Sequence, residues 1–244
     1  MKVAAFTALH YGKDYLEYAI RSVAPDVDEW LFAYSPVGSH GHRSNITCPE
    51  TEAQLKAAAL RGLNGLPYQW WSGNWPHEGA QRDSVYQHTD ADLIIVVDAD
   101  EVWAAGAVEQ AIAYGMEQET RNGRVPFIHF WRSFNHVCKD GAWPVRILKP
   151  SAPVGESYAG IPPVLHFGYA IKPHMMIYKW CIHGHKGELR PNWLDQKFIH
   201  WQPGNGISDL HPTNVDYWNT EPYAKEQLPD VLDDHPYRDM RVIA

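Results

Sequence analysis

Short apolar runs alternate with amphipathic stretches along the first half of the chain, and the alternation predicts strand–helix units. Val3 to Thr7 is a compact apolar run closing near Tyr11-Gly12, and it reads as a strand. Asp14 to Val23 follows as a helix, with Asp14 favouring the helix start and Pro25 ending it. The same reading puts strands at Trp30–Tyr34 and Tyr68–Trp71, and helices at Glu50–Arg61 and His77–His88. Leu93 to Val97 is an unbroken aliphatic run, the pattern of a strand covered on both faces. A helix from Ala104 to about Glu119 comes next. Beyond residue 120 the pattern weakens, with strands at Val125–Trp131, Val145–Leu148 and Pro162–Phe167 and a helix at Pro173–Trp180. From Pro203 the chain is rich in Pro and acids, and it reads as a wrapping tail of loops and short helices. This succession predicts an α/β fold: a Rossmann-like, mostly parallel central sheet flanked by helices, with an irregular C-terminal part. No repeat or linker divides the chain, so residues 1–244 are expected to form one domain.

Composition narrows the picture. The 244 residues are 45% hydrophobic with a net charge of −8, a balance that excludes a disordered chain. No apolar run reaches the roughly 18 residues of a membrane helix, and Met1 to His10 does not read as a secretory signal. Cys48, Cys138 and Cys181 lack C-x-x-C spacing, which fits a reducing compartment and leads us to expect a cytoplasmic protein. The acidic balance argues against a protein that coats nucleic acid. The 11 Trp are unusual, and they suit either an aromatic core or stacking on sugar rings or bases.

The candidate chemistry sits directly after the aliphatic run, in Asp98-Ala99-Asp100-Glu101. Ligands of open α/β sheets bind at the carboxyl ends of the strands, and Asp98 and Asp100, two apart, would share a face if strand geometry persists. Adjacent carboxylates repel, and a hard divalent cation such as Mg²⁺ or Mn²⁺ relieves the repulsion, with phosphate oxygens and water completing its shell. Upstream, Arg82 on the helix before this strand is placed to pair with a diphosphate; the alternative is a surface ion pair with Asp83 or Glu78.

Three stretches together resemble the GT-A nucleotide-sugar glycosyltransferases of the family-2-like group. They are Phe6 to His10 running into Asp14–Val23, Gly79-Ala80-Gln81-Arg82-Asp83 followed by Ala91 to Glu101, and Pro144–Leu148 with Val164–Tyr169 and Lys179. The resemblance spans about residues 1–185 and implies metal-dependent transfer of a sugar from a nucleoside-diphosphate sugar, foremost a UDP-sugar, to an acceptor hydroxyl. It implies a nucleotide-sugar half over 1–120, an acceptor and metal-completing half over 121–202, and the tail over 203–244. Thr7 and Leu9 would line the nucleotide pocket, and Arg82 would steady the donor. Asp98 would meet the ribose or the metal shell, Asp100 would bind Mn²⁺ or Mg²⁺, and His166 would be the distal ligand. His183 and His185 compete with His166 for that role, and they also allow a separate zinc site.

The acidic base pair usual in this group is not visible. Asp140 and Glu156 are the candidates if the enzyme inverts, and a retaining enzyme stays open. Trp70 and Trp131 are candidate acceptor-stacking residues. The acceptor class is open among glycan, lipid-linked, protein and hydroxylated DNA base. Two other readings share the acid cluster. A carbohydrate-binding module with a structural divalent ion needs no nucleotide pocket, and a nucleotidyltransferase favours a Gly-rich loop where Thr7–Asp14 has only Gly12.

Overall fold

The apolar runs assemble into two sheets, not the single one expected. The fold comes from a computed structural model, in which residues 1–38, 45–118, 121–138, 142–150, 155–183, 186–213 and 219–244 are described. The strands in chain order are Val3–Leu9 (β1), Glu29–Tyr34 (β2), Tyr68–Ser72 (β3), Leu93–Val96 (β4), Glu101–Trp103 (β5) and Asn122–Arg124 (β6). They continue with Phe127–Trp131 (β7), His136–Cys138 (β8), Val145–Leu148 (β9), Glu156–Tyr158 (β10), Val164–Tyr169 (β11) and Thr220–Pro222 (β12). The helices are Lys13–Arg21 (α1), Glu52–Leu63 (α2), Glu78–Asp83 (α3), Ala107–Glu117 (α4) and Pro173–Cys181 (α5).

Among the described residues the larger sheet has the order β10-β6-β9-β4-β1-β2-β3. Its pairs β4-β1, β1-β2, β2-β3 and β10-β6 are parallel, and only β9 runs against its neighbours. The mixed α/β architecture with a mostly parallel central sheet is therefore as the sequence predicts. Leu93, Ile94, Ile95, Val96 and Val97 are all buried, as a strand between two others and under helices must be.

The second sheet, β12-β8-β7-β11-β5, holds the predicted strands at β7 and β11, but its three-residue strands β5, β8 and β12 were not read from the sequence. Its strands are short, and β5 lies in a segment that reads as the approach to a helix. Leu16, Ala19 and Ile20 of α1 pack with Leu55, Ala58 and Ala59 of α2 against the larger sheet. A separate core under the smaller sheet holds Phe130, Trp131, Phe134, Phe167, Trp193 and Trp201, and so takes three of the 11 Trp. The tail closes this core: Ile243 N–H donates to the Arg132 carbonyl at 2.7 Å, and Leu232 and Tyr237 are buried.

The predicted helix His77–His88 is shorter than expected, with α3 giving way to a tighter turn over Ser84–Gln87. α4 starts at Ala107 because Glu101–Trp103 is taken by the sheet; its expected end, Glu119, lies outside the described residues. No helix among the described residues is long and apolar enough to cross a membrane.

Candidate functional site

The Asp98–Asp100 turn joins the two sheets: β4 ends at Val96 in the larger one, and β5 starts at Glu101 in the smaller. Backbone bonds hold the turn from both sides. Val97 N–H donates to Phe6 O at 2.8 Å, and Phe167 N–H donates to Asp100 O at 2.8 Å. The turn also needs a close approach from the end of β1. Gly12 has φ +120°, and a Cβ there would lie 2.6 Å from the Ala99 Cβ, so only glycine fits.

A cavity of about 340 Å³ opens at this junction. Ala8, His10 and Tyr11 from the end of β1 form one wall, and Arg82 of α3 another. Asp98 and Asp100 form the floor, and His166 of β11 with Lys179 and His183 complete the rim. The site thus gathers Arg82, Asp98, Asp100 and His166, which the sequence singled out. It adds His10, Tyr11 and Lys179, which carried no assigned role there.

Charge in the floor is arranged as a chain. Asp98 Oδ1 accepts from Arg82 at 2.8 Å, and Oδ2 accepts from Arg146 at 2.7 Å. Arg82 also donates to Glu78 at 2.7 Å, and Arg146 Nε donates to Glu101 Oε2 at 2.9 Å. Burial acts to raise the Asp98 carboxyl, but Arg146 and Arg82 overcome it and hold the acid well below the usual carboxylate range. Glu101, the third acid of the cluster, is 0% exposed and turned away from the cavity onto Arg146, so its partner is a guanidinium beneath the floor. Asp100 differs from Asp98. Burial raises its carboxyl, and Asp98 adds to the rise while Lys179 opposes it.

His166 Nε2 lies 3.7 Å from Asp100 Oδ1. Its ring stacks on Phe127, and its Nδ1 is 2.8 Å from His129 Nδ1 on the neighbouring parallel strand. Burial, with His129 and Lys179, pushes the imidazole well below its usual range, so it is neutral at physiological pH. Gly168 makes the space: a Cβ there would overlap the His166 ring and come within 3.0 Å of Lys179 Nζ. On the opposite wall, His10 Nδ1–H donates to Ser35 O at 2.7 Å, leaving Nε2 to accept from the Tyr178 hydroxyl at 2.6 Å.

Several expected positions fall elsewhere. Thr7 and Leu9 do not line the cavity; both are fully buried, and the Thr7 hydroxyl donates to Val97 O at 2.7 Å. Successive strand residues face opposite sides, so the cavity receives Ala8 of β1 and His10 just beyond its end instead. Trp131 is 0% exposed, packed against Tyr169, Trp193 and Phe198, and it has no face for an acceptor ring. Trp70 lies on β3 over Phe32, with its indole N–H donating to Glu52, and does not line the cavity. Glu156 sits on the edge strand β10, bonded to Arg124, and is likewise absent from the cavity wall. Asp140, and His185 of the histidine pair, lie outside the described residues.

The two-ligand arrangement bears on a metal. Among the described residues no cluster of three or more His, Cys, Asp or Glu side chains could hold an ion alone. Asp100 and His166, 3.7 Å apart, are a hard carboxylate and a neutral imidazole near enough to be the two protein ligands of one ion, and they would draw together by a few tenths of an ångström or more to hold it, since neighbouring ligands of an octahedral ion stand about 3.0 Å apart. The remaining positions of such an ion would go to phosphate oxygens and water.

No protein-family model matches the chain, and no curated protein matches it. Parts of several solved structures are similar to part of this chain. S. aureus TarS is 15% identical over 53% of this chain and 22% of its own, at a TM-score of 0.38. Glucosyl-3-phosphoglycerate synthase from Mycobacterium tuberculosis, in complex with Mg²⁺ and UDP, is 16% identical over 54% of this chain and 44% of its own, at 0.37. The same synthase with Mn²⁺ and UDP-glucose is 14% identical over the same shares, at 0.37. This chain therefore spans less than half the length of these proteins.

Proposed function

We propose that this protein is a glycosyltransferase of GT-A type that takes a nucleoside-diphosphate sugar, foremost a UDP-sugar, and transfers the sugar to an acceptor hydroxyl. One observation carries the reading. A carboxylate and a neutral imidazole stand 3.7 Å apart on the wall of a cavity at the carboxyl edge of parallel strands, between the cations Arg82 and Lys179. The cavity of about 340 Å³ lies within the roughly 300–1,000 Å³ of small-molecule sites.

Cleaving a sugar–phosphate bond leaves negative charge on the departing diphosphate, and groups already aimed at that charge lower the barrier. We assign Arg82 and Lys179 to the diphosphate, and Asp100 with His166 to a divalent ion. Both Asp98 oxygens accept from guanidinium groups, so we give Asp98 the task of holding Arg82 at the wall, beside the ribose, and leave it out of the metal shell. When bound, Mn²⁺ or Mg²⁺ would supply Lewis-acid stabilisation of the leaving phosphate oxygens. The raised Asp100 carboxyl supports this assignment, because a buried acid beside another acid is relieved by a cation.

The test is thermal unfolding with UDP-, GDP- and CDP-linked sugars, each with and without Mn²⁺. A ligand at about 100 times its Kd stabilises by about 2.7 kcal/mol, so one donor class should raise Tm by about 5–10 °C, and only with the metal. A flat response to every donor in the presence of Mn²⁺ would sink the transferase reading. Arg82→Lys replaces a planar fork by a point charge, and should weaken donor binding about tenfold in the same titration. Unchanged donor affinity would return Arg82 to a purely structural ion pair.

A further inference from the structure

His129 and His166 are register partners on the parallel strands β7 and β11, and their rings meet edge to face with centroids 4.7 Å apart. At an Nδ1–Nδ1 distance of 2.8 Å, one of the two nitrogens must donate and the other accept. Two arrangements follow. If His129 donates, the proton of neutral His166 sits on Nε2 and points into the cavity. If His166 donates, its Nε2 carries a bare lone pair there.

The surroundings of Nε2 favour the second. Asp100 Oδ1 is 3.7 Å from Nε2, beyond hydrogen-bond reach, so that carboxylate does not hold a proton on Nε2. Phe127 stacked on one side and the space left by Gly168 on the other keep the ring where it is. We propose that His129 is a positioning residue that fixes the His166 tautomer, accepting the Nδ1 proton so that the Nε2 lone pair faces the cavity. This rests on the metal assignment to His166 made above. His129 does not line the cavity, so its part is played through its neighbour. A ring so fixed is ready to bind a divalent ion, whereas an Nε2–H ring must first move its proton. Outer partners of metal-bound histidines commonly work in this way, and losing one typically costs about 10–100-fold in metal affinity.

Two measurements decide it. In the metal-free, ¹⁵N-histidine-labelled wild-type protein, the signal that disappears in His166→Ala should show a protonated Nδ1 and an unprotonated Nε2. The opposite tautomer overturns the proposal, whatever any variant does. Mn²⁺ affinity in the presence of UDP, read by electron paramagnetic resonance, is the second. His129→Phe should lower it about 10–100-fold. His129→Asn, whose amide oxygen can take the place of the Nδ1 acceptor, should return it to within about threefold of wild type. If His166→Ala loses Mn²⁺ while His129→Phe retains it, the positioning role is wrong and the metal assignment stands. If His166→Ala itself binds Mn²⁺ as the wild type does, the metal assignment falls and the positioning role falls with it.

Discussion

Asp100→Asn is expected to cut donor turnover about 1,000-fold, which corresponds to about 4 kcal/mol of transition-state stabilisation, while the fold survives. The amide keeps the shape of the side chain and one oxygen but loses the charge. The sign of the stability effect follows from the raised carboxyl. A group whose folded pKa lies above its unfolded value contributes stability at low pH and loses it as pH rises through the folded value. At neutral pH the ionised Asp100 of the metal-free protein is therefore a liability, and the variant should melt at the same temperature or higher. Stability given up for activity is the ordinary signature of a functional acid. Turnover within tenfold of wild type, or a collapse of Tm, would remove Asp100 from the role assigned here.

The second large effect concerns stability. Arg146→Met leaves Glu101 buried without its guanidinium, and breaking one side of a buried pair costs about 3–5 kcal/mol. The loss should depend on pH. Burial already raises the Glu101 carboxyl, and without Arg146 opposing it the acid will be held higher still. Stability of the variant should then be greatest near the unfolded carboxylate value and fall as pH rises, so its deficit is larger at pH 8 than at pH 5. Arg146→Met with Glu101→Leu removes both charges, and should recover most of the loss. Denaturant unfolding of the three proteins at the two pH values measures this. A single variant as stable as wild type at pH 8 would mean that the pair does not hold the turn.

The sequence made the turn legible because its signals are local. Five aliphatic residues announce a covered strand, and acids at its carboxyl end announce a site. What stayed hidden depends on partners far along the chain. Glu101 reads as one more acid of the cluster until Arg146, 45 residues away, is seen to claim it. Some signal was present: a lone Arg inside Val145-Arg146-Ile147-Leu148, next to residues bound for the core, has to find a buried counter-charge. His129 in Phe127-Ile128-His129-Phe130-Trp131 gave a similar hint. The facing of Thr7 and Ala8 was illegible for a different reason. Alternation says that the two point apart, but which one meets the cavity depends on where helix α3 lies over the sheet. The rest of the smaller sheet was missed because three-residue strands such as β5 and β8 carry no periodicity to read.

In the proposed mechanism Asp100 and His166 share one divalent ion with the diphosphate of the donor. Anomalous diffraction from crystals grown with Mn²⁺ and UDP tests it most directly. A manganese peak is expected within about 2.2 Å of an Asp100 oxygen and of His166 Nε2, with a phosphate oxygen as a further ligand. A peak held by Asp98 without Asp100, or UDP seated in the cavity with no manganese between these two side chains, would contradict it.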